Sequence, residues 1–282
     1  MQMHAGAADQ RPGQVRFSVL GPLSVTGGGE DEGPLPLGPL KQRMLLAMLL
    51  CRPNTLVSVD VLTDALWDGG PPRTARKNVQ VYVWALRRLL DDSGGAGGRL
   101  VRGVGGYLLS VGEEELDFLR FRNLAAAGHE AADGGELAVA ARLLNRALDL
   151  WSGPALPELR CSRPLSDEAD HLDKQYLQVY EDWAEAELSL GNARAVVGTI
   201  ADLTVLHPHR ERLRAAHMNT LFQLGRQTAA FAVYDEYRQL LAGEFGLGPS
   251  PVLEALYRSM LTGGTDLVSR PGRAARSAPV GP

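Results

Sequence analysis

Residues 74–90 (TARKNVQVYVWALRRLL) limit the fold more than any other stretch of the 282-residue chain, because their apolar side chains recur at helical spacing. The apolar stripe consists of Val79, Val83, Leu86 and Leu90. The opposite face of the predicted helix carries Thr74, Lys77, Val81, Trp84, Ala85 and Arg88. A solvated helix face usually mixes acidic and basic side chains, yet this segment contains no acidic residue and has a valine and a tryptophan on its outer side. We therefore interpret that outer side as a cationic, partly apolar contact surface.

Short strands and two further helices are predicted before this segment. Two alternating apolar runs, VRFSVLG and PLSVT, are separated by Gly21-Pro22 and predict a β-hairpin, and PLPLG is a candidate third strand. Pro39 is predicted at position N1 of a first helix, KQRMLLAMLLC. The inward side chains of that helix are predicted to be Met44, Leu45, Met48 and Leu49. A second helix is predicted over residues 59–67, with Ser58 as its cap and residues 68–72 (DGGPP) as its end.

The segment after the third helix, GRLVRGVGGYLLSV, predicts two strands joined by a tight turn at residues 103–106. A helix-turn-helix followed by a hairpin is the winged-helix plan. In that plan the third helix enters the major groove of duplex DNA, and the hairpin lies on the flanking backbone or minor groove. The N-terminal half is therefore predicted to be an α+β winged helix-turn-helix. Duplex DNA, a polyanion, is the predicted partner of its basic third helix.

This interpretation assigns two kinds of DNA contact to the third helix. Apolar contacts to thymine methyl groups or sugar edges are predicted for Val81, Trp84 and Ala85. Polar contacts are predicted for Lys77, Arg87 and Arg88 on phosphates, and for Thr74 and Asn78 on phosphates or base edges. Two alternatives stay open. Trp84 can be a core or protein-contact residue, and Arg87 and Arg88 can simply complement the helix dipole near its C-terminal end.

The C-terminal half is predicted to be all-α. The approximate helices are 116–131, 136–150, 166–190, 193–206, 209–224, 227–243 and 250–261. The tripeptide LGN at residues 190–192 recurs as LGR at residues 224–226, a spacing of 34 residues, which is the period of tetratricopeptide repeats. Pro208 lies where such repeats commonly close a unit. Helices of this kind stack into a concave scaffold that binds proteins.

Charge is distributed unequally between the two halves. Residues 1–112 contain 12 basic and 9 acidic side chains, whereas residues 113–282 contain 17 basic and 24 acidic ones. A basic module joined to an acidic one is typical of a nucleic-acid-binding domain fused to a protein-binding domain. The predicted organisation is a disordered leader (1–14), a winged helix (15–112), a tetratricopeptide-like domain (113–262) and a disordered tail (263–282).

Several stretches resemble one known family. LGPLSV, LGPLKQRMLLAMLL, PPRTARKNVQVYVWALRRLL and VRGVGGYLL resemble the OmpR-type winged helix of the Streptomyces antibiotic regulatory proteins. ELAVAARLLNRALDLWSGPAL and the stretch from LSLGNARAVV to PSPVLEAL resemble the bacterial transcriptional activation domain that follows the winged helix in these regulators. The two resemblances occur in the family's order and together cover nearly all of residues 15–262.

The resemblance adds specific expectations. It implies that Arg102, in the hairpin, is a wing contact. The family often has a long polar or basic residue at position 85, where this chain has Ala85, so base readout is expected to shift to Val81, Asn78 and Trp84. The complete predicted DNA-binding set is Lys41, Arg43, Thr74, Arg76, Lys77, Asn78, Val81, Trp84, Arg87, Arg88 and Arg102.

Other chemistry is not expected. The two cysteines, Cys51 and Cys161, are isolated and lack metal-ligand spacing, so reduced thiols are expected. The phosphate-loop motif GxxxxGK[ST] is absent, and no catalytic constellation is recognisable, so neither an enzyme nor a cofactor or metal site is predicted. The first residues lack an apolar signal region, and no run is long enough to cross a membrane, so a cytoplasmic protein is expected.

The function predicted from the residues and the resemblance is sequence-specific transcriptional activation of an antibiotic or other secondary-metabolite gene cluster. The resemblance implies that two copies bind head-to-tail on direct repeats of double-stranded DNA, as a homodimer, and recruit RNA polymerase holoenzyme. One alternative is a repressor or a small-molecule-gated regulator that uses the helical repeats as a sensor. A second alternative is a protein scaffold in which the basic third helix binds another protein.

Overall fold

The computed structural model describes residues 15–27, 33–92 and 97–262. The predicted disordered leader (1–14) and tail (263–282) lie outside the described residues. The chain divides into two compact units. The first comprises the chain up to Asp133 together with Arg142–Tyr180, and the second comprises Gly134–Ala141 together with the chain from Glu181 onward.

The N-terminal strands of the first unit form the predicted hairpin. Strands β1 (Arg16–Ser18) and β2 (Ser24–Thr26) pair antiparallel, with Phe17 opposite Val25 and both side chains buried. The PLPLG segment adds only a single bridge between Thr26 and Pro34, so the candidate third strand is reduced to one pairing. Phe17 also pairs in parallel with Leu116, a contact that local sequence patterns do not predict.

Three helices follow in the predicted order: α1 (Leu40–Cys51), α2 (Val59–Trp67) and α3 (Ala75–Asp92). Pro39 is the N-cap of α1, one residue earlier than the predicted N1 position. The prediction of four inward residues on α1 was too narrow, because every residue from Met44 to Cys51 is buried. This helix contacts α2, α3 and the wing, and a helix that is apolar all round is a buried one. Helix α2 has the predicted bounds and cap, since Ser58 Oγ accepts the Val61 N–H at 3.2 Å.

The wing is a three-stranded sheet. It consists of β3 (Val57–Ser58), β4 (Leu100–Gly103) and β5 (Gly106–Leu109) in the order β3-β5-β4, with both pairings antiparallel. The sequence predicts β4 and β5 but misses β3, which has two residues and is too short to show an alternating pattern. Glycine is needed at position 106 because an added Cβ would lie 2.2 Å from the Val57 carbonyl oxygen. Gly105 takes the positive φ (+76°) that the tight turn requires.

From Asp117 onward the described residues form α-helices, and the longest connection between them, residues 149–162, contains a short 3-10 helix at Pro157–Leu159. The helices are α4 (Asp117–Asp133), α5 (Leu137–Leu148), α6 (Arg163–Ser189), α7 (Ala193–Leu206), α8 (Glu211–Gln223), α9 (Gln227–Phe245) and α10 (Pro251–Leu261). Each corresponds to a predicted helix. The largest difference is that α6 starts three residues earlier than the predicted residue 166. Pro164 lies in its first turn, where a missing N–H leaves no helical hydrogen bond unmade. The predicted fold class, a winged helix followed by an all-α domain, is confirmed.

The 34-residue repeat in the second unit is a repeat of backbone geometry. Gly191 and Gly225, 34 positions apart, have φ values of +78° and +75°. The following N–H groups, of Asn192 and Arg226, each donate at 2.8 Å to the carbonyl five residues earlier. This is the glycine-terminated helix end in which a left-handed residue closes the last turn, and a new helix starts directly afterwards. The two LG tripeptides therefore mark equivalent turns of two helical repeats.

A group of ion pairs joins α6 to α8 within the second unit. The carboxylates of Glu181 and Asp182 are almost fully buried, with side-chain exposures of 3% and 5%. Arg210 Nε donates to Glu181 at 2.8 Å, and Arg212 donates to Asp182 at 2.7 Å. Buried carboxylates need such partners, and Glu181 has two of them, since Arg212 also lies 3.3 Å from it.

Candidate nucleic-acid interface

Helix α3 has the rotation that its sequence predicts. Its buried residues are Ala75, Val79, Val83, Leu86 and Leu90. On the opposite side Val81 is 57% exposed and Trp84 is 60% exposed. An indole with that exposure does not fill the core, so the core alternative for Trp84 is wrong. Exposed apolar residues beside basic ones form a surface that suits a partner with both apolar and anionic groups.

Trp84 and Arg88 form one contact on that surface. The Arg88 guanidinium lies 5.8 Å from the centre of the Trp84 ring, within the range of a cation–π interaction. Helix α3 continues two residues beyond the predicted segment, and Arg88 Nε lies 3.9 Å from a carboxylate oxygen of Asp92. Both side chains of this pair are about 70% exposed, so the pairing is weak and leaves Arg88 available to a phosphate.

Arg87, the neighbouring arginine, has a different environment. Its Nε donates a 2.7 Å hydrogen bond to the carbonyl oxygen of Leu100, at the start of β4. Arg87 is half-buried, whereas Arg88 is exposed. The two arginines were predicted to have one role, but the structure directs Arg87 to the wing strand and Arg88 outward.

The first turn of α3 carries the remaining predicted contacts of this helix. Lys77 is exposed. Asn78 Nδ2 lies 3.4 Å from Thr74 Oγ1, which holds these two polar groups side by side at the helix start. Arg76 forms a 2.8 Å ion pair with Asp60 of α2, and both side chains are at least 75% exposed. These polar groups lie at the N-terminal end of α3, where the helix dipole favours anions.

The two predicted contacts on α1 have environments unlike that of the exposed residues of α3. Lys41 Nζ donates to the Leu66 carbonyl oxygen and lies 5.2 Å from the centre of the Trp67 ring, so it closes the end of α2. Arg43 is half-buried, and its Nε is buried with no hydrogen-bond partner among the described residues. Neither side chain is as exposed as Lys77 or Arg88 of α3.

The wing supplies a second exposed surface. Arg102 is exposed on β4, paired in register with Tyr107 of β5. Val104, at the tip of the turn, is 97% exposed, and sequence analysis did not select it. Val104 stands between two glycines in a predicted turn, and this pattern could have identified it as an exposed apolar residue. With Arg102 it gives the wing the same combination of cation and apolar side chain that Trp84 and Arg88 give α3.

Each half of the chain matches a known protein family model. Residues 34–109 match the family model described as "Transcriptional regulatory protein, C terminal". Residues 116–261, just over half of the chain, match the model "Bacterial transcriptional activator domain". The chain belongs to the Streptomyces antibiotic regulatory protein family of transcriptional activators. The resemblance seen in the sequence is thereby confirmed.

Individual relatives agree with this family. The chain is 37% identical to the transcriptional regulatory protein MoaR1 of Mycobacterium tuberculosis, over 88% of this chain and 80% of that protein. It is 32% identical to the regulatory protein DnrI of Streptomyces peucetius, over 88% of this chain and 92% of that protein. A solved structure of M. tuberculosis EmbR in complex with a low-affinity phosphopeptide has a TM-score of 0.82 and 36% identity, and the match covers 89% of this chain and 66% of that one.

These comparisons also fix the class of the protein. The family and its relatives are transcriptional regulators with DNA-binding winged helices, not enzymes. None of the helices formed by the described residues has the length and apolar character needed to cross a lipid bilayer.

Proposed function

We propose that this regulator docks α3 in the major groove of duplex DNA and places its wing on the adjacent backbone. The observation that carries the proposal is the outer face of α3, where Val81 and Trp84 are more than half exposed beside the exposed cations Lys77 and Arg88. Phosphates attract cations regardless of sequence, whereas apolar side chains distinguish thymine methyl groups from other groove edges. On this face, Lys77 and Arg88 would supply affinity for the DNA backbone, and Val81 and Trp84 would supply sequence preference.

The predicted contacts differ in how exposed their side chains are. The exposed contacts are Thr74, Arg76, Lys77, Val81, Trp84, Arg88 and Arg102, with Asn78 half-buried among them. We retain these eight as the DNA-binding set. We assign Lys41 and Arg87 to the first unit instead, because each donates to a backbone carbonyl, and we leave out Arg43 because its Nε is buried. Ala85 is half-buried and offers one methyl group, so base readout is assigned to its neighbours Val81 and Trp84.

The C-terminal helices are proposed to provide activation. Two copies of the chain bind direct repeats near a promoter, and residues 113–262 recruit RNA polymerase holoenzyme to genes of an antibiotic or secondary-metabolite cluster. Repeated helix pairs form protein-binding surfaces, and the acidic charge of residues 113–282 disfavours DNA as the partner of this half. We propose the boundary between the DNA-contacting and activating parts at residues 112/113. The protein is then a cytoplasmic one that acts on the nucleoid.

Two experiments test the proposal. Full-length protein selects a duplex from a random-sequence pool, and footprinting on the selected duplex maps the contacts. We expect two protected half-sites in direct orientation, in successive major grooves. Run-off transcription with purified polymerase holoenzyme should then rise when a promoter carries the selected duplex. Selection of no duplex contradicts the docking of α3, and selective binding without increased transcription contradicts the activating role alone.

The second candidate is a repressor or a small-molecule-gated regulator, and the gated form needs a ligand site in the helical repeats. A cleft of about 770 Å³ lies in the second unit at the repeated turn, lined by residues such as Glu187, Asn192 and Gln223. Its volume is typical of a ligand site, but its polar groups are already paired: Asn192 donates to Glu187, and Gln223 donates to the Leu188 carbonyl. If the purified protein increases run-off transcription by purified polymerase holoenzyme without any added ligand, this second candidate is wrong.

A further inference from the structure

Arg87 joins the two surfaces that are proposed to contact DNA. It lies one helical turn after Trp84 on α3, and its Nε donates at 2.7 Å to the Leu100 carbonyl of β4. Arg102, the exposed cation of the wing, lies two residues after Leu100 on the same strand. This hydrogen bond connects the helix that is proposed to enter the groove to the strand that carries the wing's cation.

The carbonyl that Arg87 binds is one that the wing itself leaves open. Strand β4 is at the edge of the sheet, with β5 as its neighbour on one side. The carbonyl of Arg99 accepts the Ser110 N–H at 2.9 Å, on the β5 side. Successive carbonyls of a strand point in opposite directions, so the Leu100 carbonyl points away from β5, toward α3. Arg87 supplies the donor that this edge position lacks.

The other strand of the wing is held independently. Strand β5 pairs with β3, and the Gly105 carbonyl at the turn accepts the Val59 N–H at 2.9 Å. These bonds fix β5 and the turn to the start of α2. Strand β4 has no such bond to α2 in the described residues. Its position relative to α3 depends on its pairing with β5, on the buried Leu100 side chain, on the packing of Gly97–Arg99 against α3 and on the Arg87 hydrogen bond.

We propose that Arg87 is a positioning residue that sets the separation of the wing strand from α3, so that Arg102 meets the DNA backbone while α3 occupies the groove. The inference rests on the proposed docking of α3 and the wing. A contact that is held in place before binding loses less conformational freedom on binding, so removal of the holding bond weakens affinity without removing a phosphate contact.

Salt dependence distinguishes a positioning role from a phosphate contact. The probe is the duplex selected by the full-length protein, with a scrambled duplex as control. Arg87→Met removes the donor and keeps an unbranched side chain, and Arg88→Met is the matched change at the exposed neighbour. We expect Arg87→Met to weaken binding about tenfold with an unchanged salt slope, whereas Arg88→Met shallows the slope by about one. A slope that falls by about one in Arg87→Met overturns the inference, because it identifies Arg87 as a phosphate contact.

A double-variant cycle tests whether the effect passes through the wing. If Arg87 acts by placing Arg102, the loss caused by Arg87→Met is expected to shrink from about tenfold to less than about twofold in an Arg102→Ala background. Losses that multiply show that the two residues act independently, and they overturn the inference.

Two controls keep the result interpretable. If Arg87→Met melts below the assay temperature, Arg87→Gln takes its place, since its amide nitrogen is as many bonds from Cα as Arg87 Nε and keeps a donor without the cation. A positioning role predicts near-wild-type affinity and salt slope in Arg87→Gln, and a slope that falls by about one contradicts it. A wild-type protein that selects no duplex refutes the proposed function itself, whereas normal selection with no effect of Arg87→Met refutes only the role of Arg87.

Discussion

The backbone N–H of Val19 lies 3.0 Å from both carboxylate oxygens of Asp117, the first residue of α4. The next N–H, that of Leu20, donates to the same carboxylate at 3.1 Å. The Leu23 N–H is bound in a similar way by Glu158 at 2.9 Å. The N-terminal hairpin is thus tied to residues on the far side of the proposed boundary at 112/113. The first compact unit combines the winged helix with the first part of the helical half.

Truncation tests this attachment. A fragment of residues 1–112 loses both carboxylates that bind the hairpin, whereas a fragment of residues 1–180 keeps them. Since each buried donor left without a partner costs about 1–3 kcal/mol, we expect the shorter fragment to be less stable by at least about 2 kcal/mol. Urea denaturation followed by circular dichroism measures the difference. Equal free energies of unfolding would show that the attachment contributes nothing to the winged helix.

Asp117 also predicts a pH dependence of stability. Burial raises the pKa of its carboxyl from 3.8 to about 6, and hydrogen bonds from Val19 and Leu20 only partly oppose that effect. Between pH 6 and pH 4 the folded protein therefore binds a proton that the unfolded chain does not, so this group stabilises the fold as the pH falls through that range. At about 1.4 kcal/mol per pKa unit the effect is on the order of 3 kcal/mol.

Comparison with Asp117→Asn isolates this contribution from those of other carboxyl groups. The amide keeps an acceptor oxygen but does not titrate. We expect the difference in unfolding free energy between the variant and the wild type to change between pH 7 and pH 4, with the wild type gaining on the variant as the pH falls. A difference that is constant over this range contradicts the raised pKa.

The helical periodicity of the sequence explains which features of the candidate DNA interface could be predicted. The stripe from Val79 to Leu90 specifies the rotation of α3, and this fixes the exposure of Val81 and Trp84 without knowledge of any other element. The same periodicity cannot show where a long side chain ends. Arg87 reaches a strand carbonyl 13 residues later, and Lys41 reaches the Leu66 carbonyl 25 residues later. Both partners are backbone groups placed by tertiary packing, so a basic residue alone gives no sign of them.

The repeated turns of the second unit give a stability prediction with an internal control. Gly191 and Gly225 have positive φ values near +75°, which cost an alanine roughly 1 kcal/mol. Gly198 lies in the interior of α7 with open space around an added Cβ, and alanine favours a helix over glycine by up to about 1 kcal/mol. We expect Gly191→Ala and Gly225→Ala to lower the melting temperature and Gly198→Ala to raise it. A rise in all three variants would show that these turns are not strained by a side chain.

Arg88 and Arg102 are expected to contribute to affinity through phosphates. Both are exposed, one on α3 and one on β4. Arg88→Ala or Arg102→Ala should weaken binding to the selected and the scrambled duplex alike and shallow the salt slope by about one charge each. Shift assays over a salt series measure this slope. An unchanged affinity in both variants contradicts the docking of helix and wing on the backbone.

Val81 and Trp84 are expected to contribute sequence preference. Because both are more than half exposed, Val81→Ala and Trp84→Ala should change the unfolding free energy by less than about 1 kcal/mol. Leu86→Ala is the control on the same helix, since its side chain is fully buried and its loss should cost about 2–5 kcal/mol. The exposed changes should instead weaken binding to the selected duplex by about 1–3 kcal/mol each and spare most binding to the scrambled one.

Thermal melts and paired binding curves decide this last prediction. Preserved stability with a reduced ratio of specific to non-specific affinity is the result expected for groove contacts. Equal losses on both duplexes for Trp84→Ala would instead assign the indole to backbone packing, where its cation–π contact at 5.8 Å does no more than hold Arg88 against a phosphate. In that case Val81→Ala should still reduce discrimination, because a valine has no polar group with which to bind the backbone. Loss of preference in neither variant would remove α3 as the reading element.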